Sequence, residues 1–353
     1  MSSLSPYQLT VLTTSQCTAE CGHCSVNSAP RRRDRVTFDD IRKVIDQLHS
    51  VSPLKVVIFA GGEPTLLGDH LLDSIAYADS LGIITRVVTN AYWASSPAAA
   101  RAKVRSLREA GLAEINISAD DYHLPFIPFE NVEHAWRACK RIGFLSVIIA
   151  NCRGPGSRVT PDFIRGRLGE DIREIYDDTG WRQRLGGPAG DGTVYGISNA
   201  YLQYLGRAHS RLDASEVFPE DESSFDRGCP WAVKSAAISP KNHLIACCGF
   251  EVEHNEVLDF GDAREHAAND LLLHANNDVL VQAVARLGPI YLRSFIKTMD
   301  PTITFRDRYG SMCSLCEDIM TRPSAVTCLR DHARELDLAV TLAGHLMSIS
   351  KIA

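Results

Sequence analysis

The chain lacks the marks of a secreted or membrane-embedded protein. Its opening, MSSLSPYQLTVLTT, has neither the basic start nor the long apolar stretch of a secretory signal. No segment reaches the roughly 18 uninterrupted apolar residues of a membrane-crossing helix. A cytoplasmic setting without membrane contact is therefore expected. An excess of positive charge is missing too: 37 Lys and Arg face 43 Asp and Glu, a formal net charge of −6. That balance gives no electrostatic pull toward nucleic acid. The one basic run, Arg31-Arg32-Arg33 with Arg35, is interrupted by Asp34 and reads as a solvated loop rather than a contact for an acidic peptide.

Against an ordinary background of 45% apolar and 23% charged residues, the 11 cysteines stand out. Cytosolic chains do not hold thiols as structural disulfides, so clustered cysteines argue for metal. Cys17, Cys21 and Cys24 crowd together near the start, and Cys229, Cys247, Cys313 and Cys316 recur later at ligand-like spacing.

Short runs rich in Val, Ile and Thr alternate with amphipathic stretches over the first half. They predict strands at Gln8–Thr13, Lys55–Ala60, Ile84–Thr89, Glu114–Ser118, Ser146–Asn151 and about Ala200–Leu205. Helices are predicted between them at Phe38–His49, His70–Leu81, Ala98–Ala110, Asn131–Ile142 and Pro161–Tyr176. Strand and helix in alternation imply parallel strands, here a partial (β/α)6 TIM-like barrel with its chemistry at the carboxyl ends of the strands. A glycine-rich stretch, Thr179–Gly196, reads as a loop or cover. The composition changes near residue 208, which divides the chain into a barrel (1–208), a cysteine-bearing domain (209–330) and a C-terminal helix (331–353). That helix, about His332–Ser348, would dock through Leu336, Leu338, Val340 and Leu342.

Cys17-Thr-Ala-Glu-Cys21-Gly-His-Cys24 follows the first strand directly. Three thiolates at these spacings can hold three irons of a cubane and leave the fourth open. A zinc loop with a distant fourth ligand is the alternative. CxxxCxxC after the first strand, with Gly61-Gly62-Glu63-Pro64 after the second, resembles the radical S-adenosylmethionine superfamily. The resemblance implies a [4Fe–4S] cluster on Cys17, Cys21 and Cys24, with S-adenosylmethionine on the open iron. It assigns Gly61, Gly62, Glu63 and Pro64 to the cofactor's amino group and Asn90, in Val88-Thr89-Asn90-Ala91, to the pocket wall. Ser118 and Asp120 would meet its carboxylate or ribose, and Arg153 its carboxylate. His23 stands where the family usually has an aromatic residue beside the adenine.

Cys229, twelve residues, Asn242, four residues and Cys247, with Cys313-Ser-Leu-Cys316 much later, resembles the superfamily's C-terminal auxiliary-cluster extension in its short, Twitch-like form. Asn242 replaces the usual Gly; both tolerate a left-handed turn. The resemblance implies one auxiliary iron–sulfur cluster, [4Fe–4S] in type, on Cys229, Cys247, Cys313 and Cys316, with zinc as the alternative. Adjacent residues on an extended backbone point to opposite sides. Cys248 is therefore placed to face the cavity as a hydrogen-atom donor, with Cys152 its rival. Either can equally be a small buried residue.

These features imply reductive cleavage of S-adenosylmethionine to a 5′-deoxyadenosyl radical, an oxidoreductase or epimerase chemistry. The favoured substrate is a ribosomally made peptide, epimerised or crosslinked during natural-product maturation (RiPP maturation). Only sixteen residues precede Cys17, so a leader peptide is expected to need a separate binding protein. Flavodoxin or ferredoxin is the expected reductant. The alternatives are a dehydrogenase or epimerase of a small intermediate such as an amino sugar, and a non-catalytic iron–sulfur or zinc regulator.

Overall fold

The computed structural model describes residues 4–175, 189–218 and 222–349. Its frame is one open sheet in the order β10-β9-β8-β1-β2-β3-β4-β5-β7-β6. Strands β1 (Gln8–Leu12), β2 (Val56–Ala60), β3 (Ile84–Thr89), β4 (Glu114–Ser118), β5 (Ser146–Arg153) and β7 (Val194–Tyr201) run parallel, and β6 (Glu174–Ile175) edges them. On the other side β8 (Ser235–Ile238) joins β1 in parallel, then β9 (His243–Ile245) and β10 (Asp259–Asp262) turn antiparallel. The sheet thus passes unbroken from the barrel into the cysteine-bearing second half.

Helices α1 (Phe38–Val51), α2 (Asp69–Ser80), α3 (Pro97–Glu109), α4 (Phe129–Ala138) and α5 (Pro161–Leu168) connect the parallel strands. In α1 the Thr37 hydroxyl accepts from Asp40 N–H and the Asp40 carboxylate accepts from Thr37 N–H, a closed capping box. Ile41, Val44, Ile45 and Leu48 then form its buried stripe at helical spacing. The strands sort by a period of two. Leu9, Val11, Val57, Phe59, Val87, Ile115, Ile117, Val147 and Ile149 belong to the core, whereas Gln8, Val56, Ile58 and Arg86 line an internal cavity.

Three expected element bounds need correction. The helix expected to reach Tyr176 ends at Leu168, because Gly169 takes φ +70 and its N–H closes on the Arg165 carbonyl. The helix expected to reach Ile142 ends at Ala138, and Arg141 turns left-handed at φ +60. The sixth strand begins earlier, at Val194, pairing Ser146 with Val194 through Arg153 with Tyr201. Gly196 had masked a run of β-forming residues as loop. Of the Thr179–Gly196 stretch, 179–188 lie outside the described residues, and the rest forms a turn and the start of β7.

The C-terminal helix Ala333–Ile349 packs on the helix Val279–Arg286. Leu336 and Val340, four apart, are fully buried, while Leu338 and Leu342 are exposed on the other side, a correction to the four-residue face. No helix among the described residues is long and apolar enough to cross a membrane. Phe59, two residues before the double glycine, is among the largest fully buried side chains. Phe59→Ala should cost about 3–5 kcal/mol in urea unfolding, the cost of a large core truncation.

Candidate active site

β1 leads directly into the cysteine loop, and the end of β2 holds that loop in place. Gly62 N–H donates to the Thr14 carbonyl at 2.7 Å, and Glu63 N–H to the Gln16 carbonyl at 2.9 Å. The approach is too close for side chains. Gly61 has φ +110, and a Cβ on Gly62 would lie 1.9 Å from the Gln16 carbonyl oxygen. Pro64 then opens a short 3-10 turn, Pro64–Leu67, with Glu63 as its cap.

Cys17, Cys21 and Cys24 line one cavity of 120 Å³ with Gly61, Gly62, Asn90, Ser118 and His123. Burial pushes the Cys17 thiol up to about 12 against the Ala19 N–H; the negative charge of Glu63, Cys21 and Cys24 adds to the rise. Three acids crowded into one buried space suit a bound cation cluster, which would hold them all as thiolates. No fourth cysteine lines this cavity. The donor set therefore fits a [4Fe–4S] cluster with one iron left open.

Glu63 is fully buried beside this space. Its Oε1 accepts from Thr65 N–H (3.2 Å), the Thr65 hydroxyl (2.7 Å) and the Thr89 hydroxyl (2.8 Å), and its Oε2 from Asn90 N–H (2.9 Å). Burial still holds its carboxyl above the usual range, and these donors only partly offset it. Oε1 is saturated; Oε2 retains capacity for a cationic donor such as an ammonium. Asn90 reaches the other way, its amide donating to Thr18 Oγ1 at 3.0 Å and to Cys17 Sγ at 3.5 Å. One residue thus joins the glutamate to the cysteine loop.

The end of β4 brings a second buried carboxylate. Asp120 Oδ1 accepts from the backbone N–H groups of Tyr122 (3.0 Å) and His123 (2.9 Å), and His123 Nδ1 lies 2.8 and 2.9 Å from its two oxygens. Although burial opposes it, the Asp120 charge raises the His123 pKa well above its usual value; Cys21 adds to that rise. His23 stacks on Tyr122 at 4.7 Å and meets His123 edge-on at 5.1 Å. Burial depresses its pKa to about 4, Asp120 opposing, so this ring is neutral near pH 7. Its Nδ1 is buried without a hydrogen-bond partner. His23, Asp120 and His123 bring ligand atoms within 4.8 Å, close enough to hold a cation.

The later cysteines also converge. Cys229 follows Gly228, whose bare Cα fits against the Ala285 carbonyl, where a Cβ would lie 2.5 Å from the oxygen. Cys247 follows β9, where Asn242 takes φ +69, the left-handed turn its sequence position calls for. Cys313 and Cys316 lie three apart in the helix Met312–Met320, on one face. Burial, then the charge of Cys229, Cys247 and Cys313, drives Cys316 well above its normal range. These four thiols fit a second cluster. Cys248 lies near this set, its charge adding to the rise at Cys247 and Cys313; burial raises its own thiol and the Thr10 hydroxyl of β1 lowers it.

Cys248 and Cys152 line one cavity of 720 Å³, together with His23, Arg86, Cys229, Cys247 and Cys313. Burial raises the Cys152 thiol strongly. Arg153 is engaged elsewhere. Its Nε donates to Asn199 Oδ1 at 2.8 Å, and its guanidinium lies 5.3 Å from the Tyr201 ring and 5.5 Å from the Phe218 ring. It does not line the cysteine cavity.

Sequence reasoning missed a strut between the two cysteine sets. The Arg207 guanidinium donates to the carbonyls of Cys21 (2.9 Å) and Ser28 (2.5 Å), and its backbone N–H to that of Cys24 (3.1 Å). Neighbouring Gly206 donates to Glu317 Oε1 at 3.2 Å, and Glu317 adjoins Cys316. Asn27 and Arg32 bind Glu251 from the same loop, at 2.7 and 3.0 Å. The only signal in the sequence is Leu205-Gly206-Arg207-Ala208 itself.

Because the Gly62 contact sets the loop, Gly62→Ala should cost about 3 kcal/mol, as overpacking a filled site does. It should also lose most of the iron that the parent takes up on anaerobic reconstitution. Thermal melts and iron content per chain check both.

Residues 11–154 match the family model of the radical SAM superfamily. A putative peptide biosynthesis protein, YydG of Bacillus subtilis (strain 168), is 23% identical over 120 residues, 34% of this chain and 38% of the relative. Fe-coproporphyrin III synthase of Methanosarcina barkeri (strain Fusaro / DSM 804) is 28% identical over 167 residues, 46% of this chain and 38% of its own. The chain thus spans about two fifths of the length of either relative. Among solved structures, anSMEcpe with bound AdoMet and a peptide superposes with TM-score 0.49 at 11% identity, over 97% of this chain and 99% of that one. Members of the matched family use a [4Fe–4S] cluster and S-adenosylmethionine, which the three-thiol cavity and its glycine turn fit. Residues 11–154 thus carry a radical SAM domain.

Proposed function

We propose that this chain modifies a ribosomally made peptide, inverting a residue from L to D. The carrying observation is the position of Cys248. Its thiol lines the 720 Å³ cavity that also reaches His23 beside the first cysteine set and Cys229, Cys247 and Cys313 of the second. Cys17, Cys21 and Cys24 would hold the first cluster, and Cys229, Cys247, Cys313 and Cys316 the auxiliary one. Glu63 Oε2 would receive the amino group of S-adenosylmethionine, with Ser118 beside it. When bound, these cofactors supply a primary carbon radical that takes a substrate hydrogen atom and ends as 5′-deoxyadenosine.

The protein's own part is to orient and to return. The 720 Å³ cavity between the two cysteine sets would hold the substrate carbon within reach of both. Cys248 gives its S–H hydrogen atom to that carbon from the opposite face, which forms the new C–H bond and leaves a sulfur radical. One electron, from a flavodoxin- or ferredoxin-type donor, and one proton then restore the thiol; Cys229, Cys247, Cys313 and Cys316 would hold a cluster that supplies electron relay beside it. The likeness to a peptide biosynthesis protein over a third of the chain supports the peptide as substrate. A leader sequence would be held by a separate protein.

The test uses the product of a short reading frame neighbouring the gene, in deuterated water. The parent enzyme should place one solvent deuterium at the inverted α-carbon. Cys248→Ala should still form 5′-deoxyadenosine but lose the D-residue at least tenfold. An undiminished yield of D-residue in Cys248→Ala would rule this donor out, and loss in Cys152→Ala instead would move the role there.

A further inference from the structure

We infer that His123 donates a hydrogen bond from Nε2 to the Cys21 sulfur and so sets the reduction potential of the N-terminal cluster. The inference rests on Cys21 being a cluster ligand, as proposed above. Four observations carry it. His123 lines the same 120 Å³ cavity as Cys17, Cys21 and Cys24, at the end of β4. Its Nδ1 is spoken for, lying 2.8 and 2.9 Å from the two Asp120 oxygens, which fixes the ring's rotation and leaves Nε2 as the free donor. Asp120 is itself immobile: buried, and bonded to the N–H groups of Tyr122 and His123. His23 then closes the remaining side, edge-on at 5.1 Å.

A carboxylate that anchors an imidazole whose other nitrogen meets a metal-bound group is a recurrent outer-shell device. Here the recipient would be the thiolate rather than the metal. A donor to a cluster sulfur stabilises the reduced form, which carries one more negative charge, and raises the potential. Reduction by a weak cellular donor would then be easier. His123 is a positioning residue by this account. It tunes the electron's arrival and need not touch the substrate.

The test is a redox titration of the full-length, anaerobically reconstituted protein without S-adenosylmethionine or peptide, followed by electron paramagnetic resonance. The signal absent from Cys17→Ala identifies the N-terminal cluster. If Cys17→Ala loses none of the parent's signals, the ligand assignment is refuted, separately from the role of His123. His123→Phe keeps a ring against His23 but has no donor, and His123→Gln restores an N–H. The Phe variant should load the same iron and shift the midpoint negative, and the Gln variant should recover most of the shift. Equal midpoints in parent and Phe variant would overturn the inference. If neither variant takes up iron, the parent labelled with 15N-histidine decides. An imidazole nitrogen coupling on the reduced cluster supports the hydrogen bond, and its absence overturns it.

Discussion

Everything at this site depends on two backbones meeting without side chains between them. The Gly61-Gly62 turn at the end of β2 lies so close to Thr14 and Gln16 that the cysteine loop is bonded to it as a ladder. A loop with one buried and two half-buried cysteines has little hydrophobic reason to hold one shape. Its shape is instead borrowed from the sheet, through carbonyls that only glycine can approach. Arg207 repeats the principle from the other side, tying the carbonyls of Cys21, Cys24 and Ser28 to the segment leading into the second half.

Buried charge is the second constraint. Glu63 and Asp120 are both buried carboxylates, yet their surroundings differ. Glu63 is solvated by hydroxyls and backbone N–H groups and remains above its usual range, so a cationic ligand would offset a cost the fold has left open. Asp120 is lowered in spite of burial because His123 supplies the opposing charge. The first carboxylate is prepared for a visitor; the second is already partnered. Asp120 is occupied in holding His123 through both of its oxygens.

Much of this was legible in the sequence, for physical reasons that differ by region. β3 and β4 fall at their expected bounds because β-branched runs end cleanly at Asn90 and Ala119. Gly61 and Asn242 announced their own backbone conformations, since few other residues adopt them, and Gly62 announced a close approach. The sixth strand was hidden by Gly196, and α5 was overextended because Gly169 stops it without any change in composition. The Arg207 strut was illegible in kind. Its partners are carbonyls about 180 residues away, and a carbonyl leaves no trace in residue identity. Arg153 shows the reverse error: a cation at the right strand end, drawn instead to Asn199, Tyr201 and Phe218.

The central claim is that Cys17, Cys21 and Cys24 hold a cluster whose open iron takes S-adenosylmethionine. The direct measurement is 5′-deoxyadenosine released by the anaerobically reconstituted protein with dithionite and S-adenosylmethionine, compared with Cys17→Ala and with Cys313→Ala. The account predicts release by the parent, none by Cys17→Ala, and release retained by Cys313→Ala, which disturbs only the auxiliary site. No 5′-deoxyadenosine from a parent loaded with iron, or equal release from Cys17→Ala, would contradict it.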